Sequence, residues 1–230
     1  MKKIVPVTVW LITAVGFFLA GIYFQRQIGV GTFLKRIGII RPEAIAADLS
    51  PRFRTLGAMP IRNGSIVFIG DSLIEQHEWH EAFPGKLVAN RGVSGARIND
   101  LADVFDLKPA KLVFCLVGAN DIGLGIEVEE FAKRYERLVR SIPQGTGFYA
   151  ISVPAIRRHG HVAVNQDRIR KCNAAIQRIS EQNGFHFIDI YTDSLITQGR
   201  YFDRDGLHLS AYGYEQLNRK LSDVIENGNY

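Results

Sequence analysis

From residue 65 onward the apolar residues gather into short, unbroken runs at Ser65–Ile69, Leu87–Ala89, Leu112–Val117, Phe148–Val153 and Phe185–Ile190. A run that does not alternate with polar residues suits a strand covered on both faces, because both of its side-chain rows must then be apolar. Between the runs the apolar spacing changes to three and four. Val128, Phe131, Tyr135, Leu138 and Ile142 share one helical face, as do Ile169, Cys172, Ile176 and Ile179. A last helix carries Tyr214, Leu217, Leu221 and Val224 on one stripe, and Ser210 before it is a residue suited to an N-cap. This alternation predicts a doubly wound α/β domain over residues 63–230, with about five parallel strands.

The chain before that domain reads differently. Residues 25–62 carry scattered Gly, Pro and Arg without a sustained period, which predicts a basic tether and lead-in. Ile4 to Phe24 is 21 residues without a charge. As a helix it would extend roughly 30 Å, the thickness of a bilayer core, so residues 1–24 are expected to form a single membrane anchor. A cleaved signal sequence is the alternative. Against it stand an apolar run longer than the usual signal core and Phe18 within the stretch that a signal peptidase would read. Lys2 and Lys3 favour an N-terminus inside and a domain on the outer, extracytoplasmic side, although Arg26, Lys35, Arg36 and Arg41 pull the other way.

Composition narrows the function. With 47% hydrophobic and 22% charged residues in 230, the chain is neither disordered nor a disulfide-stapled miniprotein. The net charge of +5 is concentrated at the front: residues 1–62 hold nine basic and two acidic groups, which leaves 19 basic and 21 acidic in the remainder. A basic stretch beside a membrane helix favours anionic lipid headgroups. The domain itself is near neutral and lacks the basic face that nucleic acid requires, so no nucleic-acid partner is expected. Cys115 lies in an apolar run and Cys172 on a helical stripe, so each is read as a buried thiol rather than half of a bridge.

In a doubly wound sheet, chemistry collects beyond the carboxyl ends of the strands. The first strand runs directly into Gly70-Asp71-Ser72-Leu73. A serine at that turn has its hydroxyl at the sheet edge and its N–H at a helix start, which suits a nucleophile that generates an oxyanion, although Asp and Ser are also ordinary caps. No Gly follows two residues later, so the G-x-S-x-G elbow is absent. Of six histidines, His77 and His80 lack the spacing that places two metal ligands on one helical face, and no metal is expected there. His159 and His161 stand in a polar loop beside Arg157 and Arg158 and are read as solvated. His186 alternates with Phe185 and Phe187 and is read as structural. His208 differs: it follows Asp205 by three residues across Gly206, a spacing that lets the carboxylate fold back onto the imidazole and fix its tautomer. Two further strand ends offer polar groups, at Asn90-Arg91-Gly92-Val93-Ser94-Gly95 and at Gly118-Ala119-Asn120-Asp121.

Together these blocks, in this order, resemble the SGNH (GDSL) hydrolase family over about residues 62–226, and most resemble its branch of bacterial GDSL esterases and platelet-activating-factor acetylhydrolase-like proteins. The resemblance implies a flavodoxin-like three-layer α/β/α domain. It implies Ser72 as nucleophile, His208 as base and Asp205 as its orienting partner, with Ser72, Gly95 and Asn120 as the oxyanion hole. Asp71 and Asp121 would hold turns, and no cofactor or metal is needed. Many relatives read Ser-Gly-Asp-Thr where this chain has Ser94-Gly95-Ala96-Arg97, which keeps the Gly95 N–H and changes the contacts beside it. The expected activity is hydrolysis of a small-acyl ester of a small molecule, lipid or glycan. A cell-envelope O-acyltransferase using the same triad and an inactive membrane-tethered binding module are the alternatives. Arg97, Arg157, Arg158 and His159 are placed to meet an anionic substrate or to remain solvated.

Overall fold

The computed structural model describes residues 51–102 and 104–227. The apolar run at 4–24 lies outside them. Among the described residues no helix is long and apolar enough to cross a membrane.

Five strands, β1 (Ser65–Gly70), β2 (Val88–Gly92), β3 (Ala110–Leu116), β4 (Gly147–Ile151) and a late strand β7 (His186–Ile188), form one parallel sheet in the order β2-β1-β3-β4-β7. The five apolar runs of the sequence all fall in it, with ends shifted by a few residues. β1 and β3 bury nearly every side chain, which explains why their sequences do not alternate. The chain leaves β1 towards β2 and later returns to β3 on its other side, so the order reverses between β1 and β3. Gly70 stands level with both Gly92 and Leu116, so the turns after β1, β2 and β3 open side by side at this switch point.

Helices occupy the crossovers between the strands. Short helices α2 (Ser72–Glu75) and α3 (Trp79–Ala82) link β1 to β2. The last helix, α10 (Ala211–Asn227), joins them: Tyr214 donates its hydroxyl to the Leu73 carbonyl at 3.1 Å and stacks on His77, which also bonds Asn218. This is a structural place for His77, while His80 is exposed. A second group of helices is α4 (Ile98–Leu101), α6 (Val128–Arg140) and α7 (Gln166–Gln182), with α6 packed on both of the others. Ser210 caps α10 as expected, accepting the Gly213 N–H.

Aromatic packing fixes the centre. Phe68 stacks on Trp79 at 3.8 Å between centroids and on Phe114 at 5.2 Å, all of them buried. Such pairs add about 0.5–1.5 kcal/mol beyond the area they bury. Cys115 and Cys172 are free, buried thiols.

Two features differ from the sequence reading. The end of the stretch read as a lead-in folds: α1 (Pro51–Ala58) sends Leu56 into the core, Ile61 follows, and Arg52 Nε donates to the Gly92 carbonyl at 2.8 Å. The stretch read as a solvated loop forms an antiparallel hairpin, β5 (Arg158–His159) with β6 (Val162–Ala163), inserted between β4 and α7. Short helices α5 (Ala119–Gly123), α8 (Tyr191–Ile196) and α9 (Gln198–Tyr201) complete the described elements.

Candidate active site

Ser72 is the first residue of α2. The preceding Asp71 takes an extended conformation and its carboxylate accepts the Leu73 N–H at 3.0 Å, so the turn after β1 is closed by its own cap. The Ser72 N–H then heads the first turn, where backbone donors have no helical partner.

His208 reaches this serine from 136 residues away, with Nε2 at 3.0 Å from Ser72 Oγ. Its Nδ1 lies 2.6 Å from Asp205 Oδ2. The other oxygen, Asp205 Oδ1, accepts the N–H groups of Leu207 at 2.9 Å and His208 at 3.0 Å. A single carboxylate thus folds the turn and orients the ring. Partial burial pushes the Asp205 carboxyl up, but the hydrogen bonds from Leu207 and His208 outweigh it and hold the group below its ordinary range. In the tautomer with its proton on Nδ1, the ring donates to Asp205 and turns the Nε2 lone pair to the serine hydroxyl.

Gly95 and Asn120 stand at the same carboxyl edge, in the turns after β2 and β3. Gly95 has φ of +79°, a conformation that other residues adopt at a cost. Asn120 Nδ2 donates to the Ala96 carbonyl at 2.9 Å, which ties the two turns together. No hydrogen bond joins either residue to Ser72 among the described residues. The structure therefore links Ser72, His208 and Asp205 directly and sets Gly95 and Asn120 beside them.

Beneath lie two buried acids. Burial pushes the Asp71 carboxyl up to about 7 against the Leu73 hydrogen bond, with the charge of Asp121 adding to the rise. Burial raises Asp121 to about 6, opposed by the Ile98 N–H it accepts at 3.1 Å and by Arg134. Asp121 thus braces the turn that starts α4 against the end of β3.

Two sequence readings need correction. His159 is not a solvated loop residue: it is partly buried, and its Nε2 lies 3.0 Å from Asn120 Oδ1. Arg97 does not face a substrate, because its side chain is buried with Nε 3.9 Å from Asp100. Arg157 and Arg158 are exposed. The sequence also gives no sign of the contact between Arg157 N–H and the Gly206 carbonyl at 2.8 Å, or of the bond from Ser94 N–H to Glu75. Each of these joins segments far apart in the chain, and no local pattern marks such a pair.

The model of the GDSL-like Lipase/Acylhydrolase family matches residues 68–216, from within β1 into α10. The chain belongs to this family. As a GDSL-type protein it is an enzyme that hydrolyses ester bonds. Among solved structures, a Streptococcus pneumoniae protein provisionally assigned as a platelet activating factor has a TM-score of 0.65 at 24% identity, covering 92% of this chain and 99% of its own. A GDSL-like lipase from Bacteroides thetaiotaomicron has a TM-score of 0.62 at 20% identity, covering 77% and 97%. An acetylxylan esterase from Geobacillus stearothermophilus has a TM-score of 0.56 at 19% identity, covering 73% and 97%. At these identities the likeness shows the shared fold. A search of the curated proteins gives no match.

Proposed function

We propose that the protein is a serine esterase of small acyl groups that works through Ser72, His208 and Asp205, on a flavodoxin-like three-layer domain. The observation that carries this reading is the unbroken chain from Ser72 Oγ through both nitrogens of His208 to Asp205. Ser72 Oγ attacks the ester carbonyl carbon while His208 Nε2 takes the hydroxyl proton. The carbonyl oxygen becomes an oxyanion, which accepts hydrogen bonds from the Ser72 and Gly95 N–H groups and the free amide N–H of Asn120. The carbon–oxygen bond to the alcohol then breaks, and His208 returns the proton to the departing oxygen. Water repeats the sequence: His208 removes its proton, the hydroxyl attacks the acyl carbon, and Ser72 is released with its proton restored. No metal or organic cofactor enters.

The small-acyl preference rests on the surroundings of Asn120. Leu124 follows it by one helical turn, and Val162 opposes His159 in the hairpin; both are exposed apolar side chains. Isolated apolar residues of this kind make no continuous apolar cover for a long chain, and no segment of the sequence resembles a lid for one. The apolar run at 4–24 supports a tethered enzyme whose domain lies outside the cytoplasmic membrane, near lipid and glycan esters.

The test compares the full chain with Ser72→Ala on p-nitrophenyl acetate, butyrate and octanoate. The expected result is release that falls with chain length and drops to background, roughly a million-fold in kcat, in the variant. Equal release by both proteins on all three esters would remove Ser72 from the mechanism.

A further inference from the structure

An amide side chain serves as an oxyanion donor only if its nitrogen, not its oxygen, is turned to the substrate. Half a turn about the Cβ–Cγ bond would present a lone pair to the developing negative charge. What holds Asn120 the right way round is therefore part of the chemistry, and the following rests on the reading of Asn120 as a donor.

Two contacts fix the amide. The Ala96 carbonyl can only accept, so the atom 2.9 Å from it is nitrogen. The opposite atom is then Oδ1, and it lies 3.0 Å from His159 Nε2. Because Oδ1 has no proton to give, the ring must carry one at Nε2, and it does so both as that neutral tautomer and as the imidazolium. With one amide N–H given to Ala96 and the oxygen engaged by His159, the second N–H has no partner among the described residues.

The space for the ring is built into α5. A Cβ on Gly123 would lie 2.2 Å from His159 Cγ, 2.5 Å from Cδ2 and 2.6 Å from Cβ. The imidazole thus fills the place where any side chain at 123 would begin. Gly123 follows Asn120 by three residues, so one turn of helix presents the amide and, beside it, a notch for the ring. At the other end, the hairpin that carries His159 is pinned by the bond from Arg157 N–H to the Gly206 carbonyl, inside the turn that holds Asp205 and His208.

We propose that His159 is a positioning residue that holds the Asn120 amide with its free N–H towards the oxyanion, and that Gly123 is the notch admitting it. A residue acting this way changes the transition state and leaves ground-state binding alone. His159→Ala is expected to lower kcat by about 10- to 100-fold with KM little changed. His159→Gln, whose amide N–H can also donate to Oδ1, recovers most of that loss. Gly123→Ala displaces the ring without altering any charged or hydrogen-bonding side chain, and reproduces the kcat of His159→Ala. The decisive measurement is a double-mutant cycle in the full chain: with Asn120 already changed to Ala, His159→Ala has nothing left to position and lowers kcat no further. An equal loss in both backgrounds, a loss confined to KM, or a His159→Gln variant as poor as His159→Ala would overturn the proposal. Unchanged kcat in Asn120→Ala alone would instead overturn the donor reading itself, a separately visible failure.

Discussion

The two halves of the site are built in opposite ways. The base side is a four-residue turn, Asp205 to His208, that folds itself: one carboxylate accepts two backbone N–H groups and the ring of the residue it orients. Its Asp205 is exposed and His208 is half-buried, and the carboxyl is held below its ordinary range. The side proposed to hold the oxyanion assembles from three strand ends and a distant hairpin. Asn120 depends on Ala96 and His159, which are 24 and 39 residues away. Its floor is buried, and there burial raises the carboxyls of Asp71 and Asp121 to about 7 and about 6. A local device tolerates solvent because all its partners travel with it. A long-range device needs the rigidity of the sheet to keep its partners in register.

That contrast can be broken experimentally, most severely at the turn. Asp205→Asn keeps an oxygen for the Leu207 and His208 N–H groups, so the turn should fold. Its amide nitrogen would donate to Nδ1, moving the ring proton to Nε2 and leaving no base for Ser72. The expected loss is about 1,000- to 10,000-fold in kcat with an unchanged melting temperature; equal losses of activity and stability would show that the two roles of the carboxylate cannot be separated. Next in size is Asn120→Ala, which removes one oxyanion donor and should lower kcat by about 100- to 1000-fold on acetyl esters. Wild-type turnover in this variant would leave the oxyanion to backbone groups alone.

The smallest effect belongs to the floor and is read as stability. Asp71 ionises at about 7 in the folded chain against an ordinary 3.8, so between those values the folded state holds a proton that the unfolded state has lost. Stability therefore falls as pH rises from about 4 to about 7 and stays low above it. Asp71→Asn cannot ionise. Thermal melts at pH 5 and pH 8 should differ less in this variant than in the wild type, by on the order of 3 kcal/mol, with a residual slope from Asp121. An identical pH dependence in both proteins would place an ionised Asp71 in the fold.

The same contrast explains what could be read from the chain. Gly70 to Leu73 and Asp205 to His208 make their contacts within a few residues, so spacing alone exposes their geometry. The strands of the sheet are legible because burial on both faces writes an unbroken apolar run, as in Val67 to Ile69. His159 hides its role because its immediate neighbours, Arg158, Gly160 and His161, are polar or small and show no period; its partner is reached only once β3, β4 and the hairpin are in place. Arg97 hides its place too, since a charge five residues past a strand looks open to substrate or solvent until the turn into α4 buries it. Leu56 and Ile61 lie in a stretch too short and too mixed to show a period, yet both pack into the core.

Between β4 and α7 the chain leaves the sheet, doubles back at Gly160 and returns, touching Gly206 at its base and Asn120 through one ring. Gly160, His161 and Val162 at its tip are exposed and belong to no strand of the main sheet. An excursion closed at its base can gain, lose or exchange tip residues at small entropic cost, because closing a somewhat longer loop is only slightly less favourable. Heredity can thus vary residues 160–162 at small cost to the sheet and to the contacts at the base of the hairpin. The same few positions are where a randomised library would be tolerated longest before the fold broke.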